Sequence, residues 1–134
     1  MKYVLDASVA VAAVRVREPF HANALRHCAP LFGGRDEIVV PAIFDLEVTS
    51  ALVRRGVTAA SVQRFLRRHL ATRTLVPLGR RAVKDVRQVI ALTRLRAADA
   101  MYVWVAARDE LSLVTADQEV LQRAQMAGVT ALPP

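Results

Sequence analysis

Apolar residues follow two rhythms along this chain. Tyr3 to Leu5, Ile38-Val39-Val40, Leu75-Val76-Pro77, Leu113-Val114-Thr115 and Val129-Thr130-Ala131 are short, nearly unbroken runs rich in β-forming residues. Runs too brief for helices and apolar on consecutive residues suit strands covered on both faces of a parallel sheet. Pro77 removes a ladder donor and pushes the third strand toward the sheet edge.

Between these runs the spacing is helical. Helices are predicted over Val9 to Val14, Phe20 to Leu31, Ile43 to Arg55, Thr58 to Leu70, Arg80 to Thr93, Ala97 to Arg108 and Asp117 to Ala127. Gly33-Gly34, Gly56 and Gly128 stop three of them, Pro41 marks the approach to the third, and Thr58 is an N-cap for the fourth. Ala24, Leu25 and Cys28 form the inward face of the second helix, Val62, Phe65 and Leu66 that of the fourth, and Val83, Val86, Val89 and Ile90 that of the fifth. Five short strands alternating with helices predict a three-layer α/β/α domain with a five-stranded, mostly parallel sheet over residues 1–134. No repeat, linker or low-complexity segment interrupts it.

Composition narrows the class. The chain is 54% hydrophobic, yet no apolar run has the length of a membrane span, and no basic-then-apolar signal segment opens it, so a cytoplasmic location is expected. Cys28 is the only cysteine, and its helix face, with Leu25 and Leu31, marks a buried thiol. Charge adds more: 19 lysines and arginines, all arginine except Lys2 and Lys84, against 12 acids give +7. Arginine offers phosphate a planar two-pronged donor set, so a polyanionic partner is expected. An Arg- and Ala-rich composition also arises from a GC-rich genome.

Four acids stand where apolar segments would otherwise continue. Asp6 and Asp117 directly follow buried strands. In open α/β sheets ligands bind outside the carboxyl ends of such strands. Glu47 shares a helix face with Ile43, Phe44 and Ala51, and Asp99 with Leu95, Tyr102 and Val103. Each has an ordinary alternative, as a helix cap or a first-turn acid. Together they are harder to dismiss. Carboxylates gathered at one end of a sheet cannot all stay ionised without a cation among them, and an oxygen-only donor set suits Mg²⁺ or Mn²⁺. With those four neutralised, 19 cations face 8 acids, a net of +11. His21, His27 and His69 fit no metal spacing and read as surface or helix-side residues.

Leu5-Asp6-Ala7-Ser8, Pro41 with Leu46-Glu47-Val48, Arg96-Ala97-Ala98-Asp99-Ala100-Met101-Tyr102 and Val114-Thr115-Ala116-Asp117-Gln118, in that order, resemble the PIN-domain ribonucleases of the bacterial VapC toxin type. The resemblance spans nearly the whole chain. It implies a helix-sandwiched parallel sheet, a homodimer, RNA as substrate and a VapB-type antitoxin that blocks the site. By position it implies that Asp6, Glu47, Asp99 and Asp117 are the catalytic, metal-binding quartet, with Ser8 and Thr115 as supporting hydroxyls. Many relatives carry an asparagine after the glutamate, where this chain has Thr49-Ser50, which leaves one supporting contact open. Glu119 is a nearby acid suited to an outer ligand role, and Asp45 is expected to be solvated.

Phosphodiester hydrolysis by a metal-activated water follows, leaving a 5′-phosphate and a 3′-hydroxyl. Arg64, Arg67, Arg68, Arg80, Arg81 and Arg87 are candidates for holding the RNA backbone. Val9, Val11, Val14, Val16, Phe20 and Leu31-Phe32 exceed what one core stripe requires. Val14, Val16 and Phe20 are therefore candidates for an antitoxin groove, with core or dimer packing as the alternative. Two rival classes remain. A phosphotransfer α/β enzyme would carry a second aspartate at Ser8 or a late lysine, and this chain has neither. A catalytically inactive PIN-like RNA- or protein-binding module would usually have lost acids, and here all four are filled.

Overall fold

The computed structural model describes residues 1–134. It contains β1 (Lys2–Leu5), α1 (Ala7–Val14), α2 (His21–Phe32), β2 (Glu37–Pro41), α3 (Ile43–Val53), α4 (Ala59–His69), β3 (Arg73–Val76), α5 (Arg80–Thr93), α6 (Ala97–Asp109), β4 (Leu113–Val114), α7 (Gln118–Arg123) and β5 (Ala131–Leu132). All strand pairs are parallel, in the order β3-β2-β1-β4-β5. Three of the strands are buried runs, as their composition predicts: Tyr3 to Leu5, Ile38 to Val40 and Leu113-Val114 belong to one continuous core.

That strand order positions everything else. The chain moves outward from β1 through β2 to β3, then returns across the sheet to place β4 on the other side of β1. Right-handed crossovers put α1 to α4 on one face, and the return through α5 and α6 on the other. Packing agrees: α1 touches α2 and α3, α3 touches α4, and α5 lies against α6, which covers β1 and β2. The order reverses between β1 and β4, so a crevice opens at their carboxyl ends. Their register pairs Val4 with Leu113 and Leu5 with Val114. The ladder then runs one residue further, with Asp6 N donating to Val114 O at 3.0 Å.

Several boundaries and faces differ from expectation. Leu25 and Val83, assigned inward by helical spacing, are 42% and 44% exposed, because Ala24, Cys28 and Leu31 suffice for the buried side of α2 and Ala82, Val86 and Val89 for that of α5. The edge strand starts two residues early, at Arg73, whose guanidinium pairs with Asp45 through two bonds of 2.8 Å each. Asp45 is therefore paired and not left to solvent. The last helix is two pieces: α7 ends at Arg123, and a 3₁₀ turn over Ala124–Ala127 closes at Gly128 with φ 75°. Val129 is core, and the final strand begins later, at Ala131. Thr58 caps α4 as expected, accepting from Ser61 N at 3.2 Å. Cys28 is buried, and burial pushes its thiol up to about 12.

Candidate active site

The crevice at the switch point is a cavity of about 570 Å³, and Asp6, Glu47, Asp99 and Asp117 all line it. Four elements deliver them. Asp6 leaves β1 and caps α1, accepting from Ser8 N at 3.2 Å. Asp117 leaves β4 and caps α7, accepting from Glu119 N at 2.9 Å and Val120 N at 3.1 Å. Glu47 projects from the middle of α3, and Asp99 from the first turn of α6. Capping and clustering thus coexist: the same carboxylates that start helices face the cavity.

Two hydroxyls tie the acids together. Thr115 is fully buried; its Oγ1 donates to Asp6 Oδ2 at 2.8 Å and accepts from Asp117 N at 3.1 Å. One side chain therefore sets the spacing of both strand-end acids. Tyr102 Oη donates to Glu47 Oε1 at 2.6 Å. Tyr102 lies one helical turn after Asp99, so α6 contributes a carboxylate and the brace for another. Ser8 reaches Asp6 through its backbone N.

Electrostatics record the crowding. Burial pushes Asp6 above the ordinary carboxylate range, opposed by Thr115 and Ser8 and assisted by the charge of Asp117. Burial also raises Glu47, with Tyr102 opposing and Asp6 assisting. Asp99 is pushed up to about 6, by burial first and then by the charges of Asp6, Asp117, Glu47 and Glu119. Burial and the charge of Glu47 raise Tyr102, which keeps it a protonated donor.

These residues fit a hard divalent cation in the chemistry of their donors. The donors are all oxygen, and Asp99, with no hydrogen-bond partner of its own, carries the repulsion of the other three. They do not form a closed cage, since no three acidic, histidine or cysteine side chains already converge closely enough to hold an ion. Thr115, Tyr102 and a helix-start amide hold three of the acids in place.

The remaining candidates divide. Glu119 is exposed and lies 3.2 Å from Arg123, outside the cavity lining. Arg64, Arg67, Arg68, Arg80, Arg81 and Arg87 are all exposed, and none lines the cavity. Phe20 does line it and is 46% exposed; Val14 and Val16 are exposed nearby in sequence but lie outside the lining. Val9, Val11 and Leu31 belong to the core. His21 accepts from or donates to no acid, its Nδ1 lying 2.8 Å from Ala12 O, while His27 packs edge-on to Tyr3 and His69 against Phe32 and Phe65. Sequence reasoning missed Glu18 and Arg55, which line the same cavity and face each other at 3.2 Å. Only their opposite charge hinted at this, because a loop and a helix end bring them together.

A family model described as the PIN domain matches residues 3–125. No curated protein sequence matches the chain. Among solved structures, PAE2754 from Pyrobaculum aerophilum is similar at 24% identity and a TM-score of 0.64, covering 98% of this chain and 92% of that one. FitAcB from Neisseria gonorrhoeae is similar at 14% identity and a TM-score of 0.71, covering 98% and 96%. A toxin-antitoxin complex from Klebsiella pneumoniae is similar at 17% identity and a TM-score of 0.64, covering 90% of each. At these identities the likeness is one of fold.

Proposed function

The chain belongs to the PIN-domain family, and from that premise we propose that it is a Mg²⁺- or Mn²⁺-dependent endoribonuclease, the toxin of a toxin-antitoxin pair. The observation that carries this reading is the meeting of Asp6, Glu47, Asp99 and Asp117 around one cavity at the sheet's switch point.

Asp6, Glu47, Asp99 and Asp117 would hold the divalent cation, which when bound supplies Lewis-acid polarisation of the phosphate and an acidified water. The chain's own residues then have distinct tasks. Thr115 holds the Asp6 carboxylate against the Asp117 backbone, the amides of Glu119 and Val120 hold the Asp117 carboxylate, and Tyr102 orients Glu47. No histidine lines the cavity, so proton removal falls to the carboxylates and solvent. Attack by water, rather than by the 2′-hydroxyl, gives a 5′-phosphate and a 3′-hydroxyl. Exposed arginines on α4 and α5, Arg64, Arg67, Arg68, Arg80, Arg81 and Arg87, supply long-range attraction for the RNA backbone from outside the cavity.

The antitoxin assignment draws support from the solved toxin-antitoxin complex of the same fold and from an apolar rim. Phe20 borders the acidic cavity, Leu46 is 70% exposed beside an adjoining one, and Val14 and Val16, close to Phe20 in sequence, are exposed as well. An amphipathic helix of a VapB-type partner suits such a surface, and a homodimer is part of the same reading.

The deciding experiment is cleavage of end-labelled RNA by the purified chain with Mg²⁺, with Mn²⁺ and with chelator, alongside Asp99→Asn prepared identically. Metal-dependent products bearing 5′-phosphates, absent from Asp99→Asn, are expected. Equal cleavage by wild type and variant would reject the assignment.

A further inference from the structure

The acidic cavity has one cation in its lining, Arg55. It follows the end of α3, where its Nη1 donates to Ala51 O at 2.8 Å and its Nη2 lies 3.2 Å from Glu18 Oε1. The side chain is 40% exposed and also borders the adjoining cavity lined by Ile43, Leu46 and Ser50. It therefore stands where the two cavities meet. Glu18, in the loop between α1 and α2, is shared: Arg15 Nε lies 3.9 Å from the same Oε1 and, although buried, has no hydrogen-bond partner.

A polyanion entering this cavity meets five carboxylates, the quartet and Glu18. A cation bound by the quartet answers the charge inside; at the mouth only Arg55 does. A guanidinium presents two parallel donors matched to two phosphate oxygens, whereas an ion pair as exposed as Arg55–Glu18 is weak and readily exchanged. Glu18 does not lose all compensation when Arg55 leaves, because Arg15 remains beside it with an unused donor.

We propose that Arg55 is a substrate-binding residue of this site, exchanging Glu18 for an RNA backbone phosphate at the cavity mouth, with Glu18 as the internal competitor that holds it in the empty enzyme. This rests on the ribonuclease reading above. Arg55 binds and does not take part in bond cleavage, so its removal acts on KM before kcat.

The two partners then have opposite effects. Arg55→Ala should raise KM for a short RNA roughly tenfold or more, the factor for one charge-assisted contact, and make the salt dependence of binding shallower by about 0.7 in the log-log slope for one lost single-strand phosphate contact. Glu18→Gln should lower KM. In the Arg55→Ala background Glu18→Gln should have no effect, because its action passes through Arg55. If the pair were only a brace between the α1–α2 loop and α3, both single variants would raise KM. If Glu18 were only a general repulsive charge, Glu18→Gln would lower KM by the same factor with or without Arg55. Either result overturns the exchange. Arg55→Lys, which keeps the charge and loses the fork, should fall between wild type and alanine, and with Glu18→Gln it decides the matter should Arg55→Ala fold poorly. Wild-type cleavage with any of the overturning patterns rejects this inference alone; a wild type without metal-dependent cleavage rejects the parent reading.

Discussion

Thr115 and Asp6, 109 positions apart, are joined by a hydrogen bond of 2.8 Å in which the buried hydroxyl donates to Oδ2 of the carboxylate. The same Oγ1 accepts from Asp117 N, so two strand ends and two acids depend on one atom. Thr115→Val keeps the shape and removes both bonds. Losing a hydrogen bond to a charged, buried partner costs about 1.5–3 kcal/mol, and we expect a destabilisation of that size in urea unfolding at neutral pH without metal. Thr115→Ser should recover most of it, and the exposed Ser8→Ala should cost much less. A Thr115→Val protein as stable as wild type would mean that the hydroxyl does not organise the site.

Metal and Asp99 make a second, two-signed prediction. Asp99 carries the repulsion of its neighbours, so Asp99→Asn should raise the Tm of the metal-free protein. If the wild type binds Mg²⁺ or Mn²⁺ as proposed, a hundredfold excess over Kd should add about 2.7 kcal/mol through the native state alone. Asp99→Asn should lose most of that gain, and Asp6→Asn should too. Thermal melts with and without metal check both signs, and equal metal-induced shifts in all three proteins would refute the site.

The acidic cluster also sets a pH dependence. Asp99 is pushed up to about 6, above the ordinary carboxylate value of about 4. Between those values the native state holds a proton that the unfolded chain has released, so metal-free stability falls as pH rises through that window. Asp6 and Glu47 are raised as well and act in the same direction. The proposed metal binding should have the opposite trend: a cation would compete with that proton, so its apparent affinity should fall as pH drops below about 6. Metal-free urea midpoints and Mg²⁺ titrations across this range should cross in sign, and Asp99→Asn should flatten both curves.

Which parts of this site were legible in the sequence follows from what each residue depends on. Asp6 and Asp117 end buried strands, and Glu47 and Asp99 interrupt apolar helix faces, so local pattern alone marked them. Their meeting required the reversal of strand order between β1 and β4, which short runs in a sequence suggest only as a class. Tyr102 was visible as part of a motif, but its bond to Glu47 links α6 to α3 across 55 positions. Arg55 and Glu18 left only their opposite charge as a trace, since a helix end and a loop without periodicity bring them together. Asp45 was misjudged for the same reason: its partner Arg73 lies on another element. Leu25 and Val83 show the limit of periodicity, which counts apolar positions without knowing how wide a stripe the neighbouring layer covers.

Phe20 stands just before α2, 46% exposed, bordering the cavity that holds the four acids. An aromatic side chain left half-open at a cavity rim is a natural anchor point, and such anchors dominate binding when truncated, at about 2 kcal/mol or more. Placing a glutamate there would confuse the test, because a fifth unpaired carboxylate beside the quartet repels RNA as well as any partner. Phe20→Ser removes the apolar face without adding charge, and a partly exposed position tolerates it with little loss of stability. We expect Phe20→Ser to weaken binding of the antitoxin roughly thirtyfold while RNA cleavage stays near wild type and the urea midpoint is unchanged. Val16→Ser, at a position that is 80% exposed and outside the cavity, separates a local anchor from a broad apolar surface: a comparable loss there extends the contact along the α1–α2 loop, and no loss confines it to the cavity rim. An unchanged antitoxin affinity for Phe20→Ser would place the proposed partner elsewhere on the chain.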